Sequence, residues 1–476
     1  MHHPPARDQL QRSRTPQQWL WALVVASCLV LAALAGPARA QAATAEAVGE
    51  ASLLGQVAAW PLWVEAGRGL SVTVLAADGS LTWLDGATPA AAPVRLARGL
   101  AGEQLAACGA ALLVVDGRGA LRRVPRAPDL PVVSVVGPLV SRYHKPVCTA
   151  DGSVIALDPQ GAVLLLSREL EPRARADVAA LPDAELVLLE LPDVTVVAVL
   201  SEPTQRYRHG TLGDEVEAAA LTLLRLPDLT PLATWRPAAP AVIEARRPTP
   251  WHTDGAVGLH VTVSDEASGA RLVSLVWGGS ALKVLASGEP LGASQRWLHL
   301  IGANGPRVYA VHEPRAGGPL VRYELSALDL PPADATRDDP PTTLDDLSAT
   351  RDAPATLDDA PARLVTSAFD LDLVSHVDGE RLLDRAALLG SLPDGADLLL
   401  VPRRHQRTLV WLRCDAVCSE IAEVTLPAAL ATNLSLSPAQ GPATAVVLAD
   451  RAGTVWRLPL PTPLADEATL SEHRRR

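Results

Sequence analysis

The stretch Val72-Thr-Val-Leu-Ala-Ala-Asp78-Gly-Ser-Leu-Thr-Trp83-Leu-Asp85 joins an apolar run to an alternating run through a turn that begins with Asp. Asp-Gly between β-rich runs is a preferred tight hairpin turn, because both residues tolerate positive φ. Alternation of Leu81 and Trp83 with their neighbours predicts a strand with one buried and one exposed face. The unit recurs. Leu112-Leu-Val-Val-Asp116-Gly-Arg-Gly-Ala-Leu121 repeats it, and so does Val147-Cys-Thr-Ala-Asp151-Gly-Ser-Val-Ile-Ala-Leu157-Asp158. A late copy is Val446-Val-Leu-Ala-Asp450-Arg-Ala-Gly-Thr-Val-Trp456-Arg-Leu458.

Asp78, Asp116 and Asp151 stand 38 and 35 residues apart, a period suited to four-stranded propeller blades. On these repeats the chain resembles the WD40-like and pyrroloquinoline-quinone-like propeller superfamily of exported bacterial proteins. It lacks the Gly-His and Trp-Asp pair of WD40 blades and the Trp-bearing docking motif of quinoprotein blades. The resemblance therefore implies a fold and little chemistry. The expected fold is all-β: a single propeller of seven or eight four-stranded blades over residues 45–465. Ring closure usually draws on both chain ends, so residues near Trp60–Val64 are expected to share a blade with residues 443–460.

Farther out, the chain departs from the repeat. Val194–Leu200, Leu221–Leu226, Leu272–Trp277, Val308–His312 and Val321–Leu325 read as strands separated by longer loops. Residues 332–362 hold eight Asp, two Arg and five Pro, and the segment nearly duplicates itself. Such a composition cannot bury apolar area and predicts a disordered acidic loop, with weak cation collection a lesser alternative. One helix is expected over Glu380–Leu389, with Asp378 as N-cap and Gly390 as stop.

The N-terminus carries an ordered three-part signal. Arg7, Arg12 and Arg14 precede an uncharged stretch from Trp19 to Gly36, and Ala38-Arg39-Ala40 follows. This order predicts a secretory signal peptide over residues 1–40, cut after Ala40, and hence a protein of the periplasm or the extracellular space. An uncleaved inner-membrane anchor is the alternative, since eighteen residues just reach across a bilayer. Cys28 after Val25-Ala26-Ser27 resembles a lipobox, but the apolar run continues past it, which favours an ordinary cysteine of the h-region.

Four further cysteines, Cys108, Cys148, Cys414 and Cys418, are an even number and predict disulfides in an exported chain. Cys414 and Cys418 lie between two apolar runs, so a short hairpin would set them across from each other. Cys108 and Cys148 then pair by elimination. A zinc site is disfavoured, as no Cys-x-x-Cys or neighbouring His supports it.

The formal net charge is −11, and an acidic body repels a phosphate backbone, so nucleic acid is not an expected partner. The basic run Arg474-Arg475-Arg476 is most simply a solvated chain end. No His-Glu-x-x-His, Gly-x-Ser-x-Gly or phosphate-binding loop occurs, so no catalytic residue, metal ligand or cofactor is predicted. His252 and His260 are eight residues apart, which suits a satisfied or surface pair better than a metal site. Asp370-Leu-Asp372 with Asp378-Gly379 breaks the alternate-oxygen spacing of a calcium loop. Arg403-Arg404-His405-Gln406-Arg407 reads as an exposed turn, and Trp83, Trp411 and Trp456 as core packing.

Arg206-Tyr207-Arg208-His209, in the polar segment Ser201–Glu217, is the one candidate binding loop, because Arg and Tyr are favoured anchors of interfaces. A mobile insertion without a partner is the simpler account. The function expected is a non-enzymatic, monomeric scaffold that binds an unidentified protein or small ligand. The rival is a propeller enzyme, a lactonase-like hydrolase or a quinoprotein dehydrogenase, whose axial site needs no local motif.

Overall fold

The computed structural model describes residues between 51 and 461, and the longest stretches left outside are 289–297, 313–323, 330–364, 371–385 and 437–444. Among the described residues every regular element is a β-strand. These strands pair antiparallel, largely in chain order, into seven four-stranded sheets, one five-stranded sheet and one two-stranded sheet. Blades one to four cover 61–97, 102–139, 147–177 and 187–235. Blade five, 242–287, has five strands because Val242–Ile243 and Thr249–Thr253 both pair with Ala256–Asp265. Blades six and seven cover 298–370 and 387–425. Blade eight takes three strands from 435–459 and its outermost strand, Ser52–Gln56, from the other end of the chain. The fold is a β-propeller.

Closure falls one strand earlier than expected. Ser52–Gln56, not Trp60–Val64, joins the 435–459 sheet, with Ser52 opposite Arg457 and Gln56 opposite Thr454. Pro61–Ala66 instead pairs with Val72–Ala76 and becomes the innermost strand of blade one. The strand upstream of it is the one left to fill the outer position of blade eight. Asn433 ties the two blades at the axis: its Oδ1 accepts from the Val64 amide and its Nδ2 donates to the Val64 carbonyl, both at 3.0 Å.

The seams between blades are apolar. Leu75 and Leu81 pack on Leu105 and Leu112, and Leu113 and Val115 pack in one cluster with Val154 and Leu166. Each such buried side chain contributes roughly 1.5–3 kcal/mol. A wider cluster runs from Ile155 through Val197 to Leu259, covering blades three to five. Leu398, Leu400 and Trp411 meet Val446 and Leu448 between blades seven and eight.

Repeated turns explain why these strands stop where they do. In blades two, three and eight the second-to-third turn is Asp-x-x-Gly: Asp116 to Gly119, Asp158 to Gly161, Asp450 to Gly453. The Asp Oδ1 accepts the amides two and four residues on, at 2.8–3.1 Å. Gly119 has φ 83°, and a Cβ there would lie 2.3 Å from the Val140 carbonyl oxygen. That closeness serves a bond. The Gly119 carbonyl accepts the Val140 amide at 2.7 Å, and Gly161 and Gly453 hold Ala180 and Val57 alike, at 2.8 and 2.9 Å. In blade one the Gly79 carbonyl accepts the Leu100 amide at 2.9 Å. In these four blades the departing connection is thus clasped to a turn of the blade it leaves.

The spacings of 38 and 35 residues mix two kinds of turn. Asp151 lies between the first and second strands of blade three, whereas the counterpart of Asp116 is Asp158, 42 residues on. The expected helix is likewise replaced: Ala387–Ser391 is the innermost strand of blade seven, paired with Asp397–Pro402. Pairing and burial of Leu389 against that sheet override the helix propensity of its Ala and Leu residues. Residues 380–385, the segment 332–362 and the N-terminal segment 1–40 lie outside the described residues. Of the three tryptophans, Trp411 is wholly buried, while Trp83 and Trp456 are half-buried and Trp456 Nε1 donates to Asp450 Oδ2 at 2.9 Å.

Both disulfides form. Cys108–Cys148 joins the innermost strands of blades two and three, and Cys414–Cys418 closes the third-to-fourth turn of blade seven. The first spans 40 residues, for which loop-closure entropy gives about 4 kcal/mol.

Candidate binding face

Four antiparallel strands define two ends. Strand one of each blade starts where strand two ends, so the connections between blades and the second-to-third turns share one end of the ring. The first-to-second and third-to-fourth turns share the other. The clasp bonds above are made at the first end, called here the entry face, as is the bond from the Ala77 amide to the Trp60 carbonyl at 2.8 Å.

Two large aromatic side chains stand out on this face. Trp60, in the connection into blade one, is 52 % exposed, and the Arg451 guanidinium lies over its ring at 5.5 Å from the centroid. Tyr143, in the connection into blade three, is 53 % exposed, with the Arg142 guanidinium 4.6 Å from its centroid and bonded to its hydroxyl. Lys145 Nζ sits 5.9 Å from the ring centroid of Trp63, on the innermost strand of blade one. The connection into blade three therefore reaches across to blade one. Exposed cation–π pairs contribute about 0.5–1 kcal/mol each, which is enough to orient a guanidinium.

Charge on this part of the face opposes the chain's overall sign. Arg98, Arg118, Arg142, Lys145 and Arg451 are exposed along the connections and second-to-third turns of blades one to three and eight. The exposed acids described there are Asp78, held ionised by hydrogen bonds from the Ser80 hydroxyl and amide, and Asp177, paired with Arg175 at the end of the outer strand of blade three.

The connection 141–146 is anchored from below. The Ser141 amide bonds to the Leu157 carbonyl at 2.7 Å, and His144 Nδ1 to the Ala184 carbonyl at 3.0 Å. His144 is fully buried, and burial pushes its pKa down to about 4. Nearer the opposite end, burial pushes the Glu65 carboxyl above its usual range, against the opposing pull of Arg126 and Lys145.

Arg206, Tyr207 and Arg208 lie on a strand, where a loop had been expected. Thr204–Arg208 pairs with Thr211–Glu217 as a separate hairpin, with Tyr207 opposite Leu212 and Arg208 opposite Thr211. The hairpin is inserted in the second-to-third connection of blade four, so topology roots it on the entry face; His209 lies outside the described residues. Residue reasoning missed Trp60, Arg142, Tyr143, Lys145 and Arg451. One signal was available, because Arg142-Tyr143-His144-Lys145 has nearly the composition of Arg206-Tyr207-Arg208-His209.

The other candidates scatter. His260 is fully buried and bonded through Nδ1 to Ser274 Oγ at 2.7 Å, while His252 is exposed on the neighbouring strand Thr249–Thr253. Asp370 ends a strand of blade six, and Asp372, Asp378 and Gly379 lie outside the described residues. Arg403 reaches Glu423 and Glu420 at 2.9 and 2.6 Å, so it braces blade seven; 404–406 are not described. Among the described residues no three His, Cys, Asp or Glu side chains converge as a metal site would require.

Many solved structures are similar to the chain, and three of them illustrate the likeness. BamB from Moraxella catarrhalis shares 11 % identity over 87 % of this chain and 97 % of that one, with a TM-score of 0.43. The computationally designed Ika8 protein shares 11 % over 87 % and 100 %, with a TM-score of 0.47. Hydrazine synthase of Kuenenia stuttgartiensis shares 10 % over 75 % and 95 %, with a TM-score of 0.45. No family model and no curated protein matches the chain.

Proposed function

We propose that this chain is an exported, non-enzymatic propeller that binds a protein partner through its entry face. The observation that carries this reading is the pair of half-exposed aromatic residues, Trp60 and Tyr143, each overlaid by an arginine at one end of a rigid ring. Trp, Tyr and Arg are the residue types that dominate binding energy at protein interfaces. Rigidity matters as well, since side chains fixed by a packed scaffold lose less entropy on binding. Export is supported by the two disulfides, which persist in oxidising compartments.

Site-specific photo-crosslinking in the producing cell tests the assignment. A crosslinking residue in place of Trp60 or Tyr143 is expected to yield discrete adducts. The same residue in place of Leu53 or Val136, exposed on outer strands, is expected not to. Equal adducts at all four positions, or none at the entry face, would sink the proposal.

A further inference from the structure

We infer that the occupant of the entry face is an acidic, extended peptide segment lying across blades eight, one and three. The inference rests on the binding face proposed above and names the chemistry of its partner. Charge complementarity carries it. In a chain of formal net charge −11, the described part of this face gathers Arg98, Arg118, Arg142, Lys145 and Arg451 in exposed positions against Asp78 and an Asp177 that Arg175 already pairs. An acidic segment is opposed by the net charge of the chain and attracted here, which steers it to one place.

The way these cations are held sharpens the choice. The guanidiniums of Arg142 and Arg451 lie over aromatic rings, and a guanidinium presents its N–H donors as a planar fork. That planar fork matches a carboxylate and suits Asp or Glu side chains presented along a strand. Beside the charges, the exposed parts of Trp60 and Tyr143 give apolar contact for residues between the acids. An anionic polysaccharide fits less well, because the guanidinium occupies a ring face on which a sugar would stack. The connections themselves are fixed, since the Trp60 carbonyl and the Ser141 amide are bonded to neighbouring strands or turns.

Selection from a library of short random peptides on the purified full chain reads the preference directly. The control is the variant Arg142→Gln, Lys145→Gln, Arg451→Gln, whose three side chains are exposed, with its fold verified by thermal melting. Recovered peptides are expected to be enriched in Asp and Glu, to bind about tenfold more weakly to the control, and to weaken with added salt. Recovery of neutral or basic peptides, of no peptides, or of acidic peptides that bind both proteins equally would overturn the inference. So would polygalacturonate binding tightly while acidic peptides do not. Neutral peptides recovered alongside entry-face crosslinks would remove the acidic preference alone; absence of those crosslinks would remove the binding face itself.

Discussion

Blades one, two, three and eight share a set of backbone rules that blade five does not. In the first group, glycine at the second-to-third turn and a carbonyl bond to the departing strand recur four times, at Gly79, Gly119, Gly161 and Gly453. Blade five is assembled differently. Its strand Ala256–Asp265 turns Leu259, Val261 and Val263 toward an apolar cluster and carries His260, Thr262 and Ser264 on its opposite side, all buried. Among the described residues, Thr249 Oγ1, Trp251 Nε1, His260 Nε2, Thr262 Oγ1 and Ser264 Oγ have no hydrogen-bond partner. One ring therefore tolerates two solutions. In the regular blades polar groups close turns and the unpartnered buried atoms are ring or guanidinium nitrogens such as Trp83 Nε1, Arg122 Nε and His144 Nε2, whereas in blade five the hydroxyls of Thr249, Thr262, Ser264 and Ser287 are buried without return, at a cost of about 1–3 kcal/mol for each such group.

The largest expected effect is a pH dependence that the two regions share, one buried histidine in each. His144 anchors the regular side with its pKa pushed to about 4 by burial, and His260 sits in blade five with its own pushed to about 3. The unfolded chain binds these protons near 6.5, so it takes them up first. Stability is complete above that pH and declines as pH falls toward the folded-state values. By pH 4 the loss is about 3 kcal/mol for each histidine. Urea titrations at stepped pH are expected to show this slope, and His144→Gln and His260→Gln should each remove about half of it. A stability independent of pH between 7 and 4 would contradict the burial of both rings.

A smaller contrast lies in the glycines. Gly119 and Gly279 have the same φ, 83°, but a Cβ at Gly119 meets the Val140 carbonyl, whereas none of the surrounding atoms lies within 4 Å at Gly279 in blade five. Gly119→Ala should cost about 3 kcal/mol and Gly279→Ala about 1 kcal/mol, read from chemical denaturation. Equal costs would show that the clasp does not constrain the turn.

The smallest effect tests the polar groups themselves. Thr73 Oγ1 donates to the Arg126 carbonyl at 2.8 Å between blades one and two, whereas the Thr262 hydroxyl is unpartnered. Thr73→Val is expected to lose about 1 kcal/mol, and Thr262→Val to be neutral or to gain up to about 1 kcal/mol. A matching loss at both sites would mean that Thr262 is satisfied by a water.

Legibility in the sequence followed the same division. Around Asp116 and Asp450 the turn, the flanking strands and the burial of alternate residues could be read directly, because hairpin chemistry is local. At Ala387–Ser391 local propensity pointed to a helix, and only the pairing with Asp397–Pro402 makes it a strand. Asp151 had the right neighbours for a repeat turn and belonged to a different one, since a five-residue pattern does not say which pair of strands it joins.

By itself the sequence determined the strand-rich class, the repeat, the even set of cysteines and the turn residues, all of which depend on neighbours within a few positions. Tertiary structure decided the strand that closes the ring, the blade that takes five strands, and the meeting of Trp60 with Arg451 across 391 residues of chain. Those outcomes depend on which edges and connections are brought together when the blades pack, and that information is not carried by any one segment.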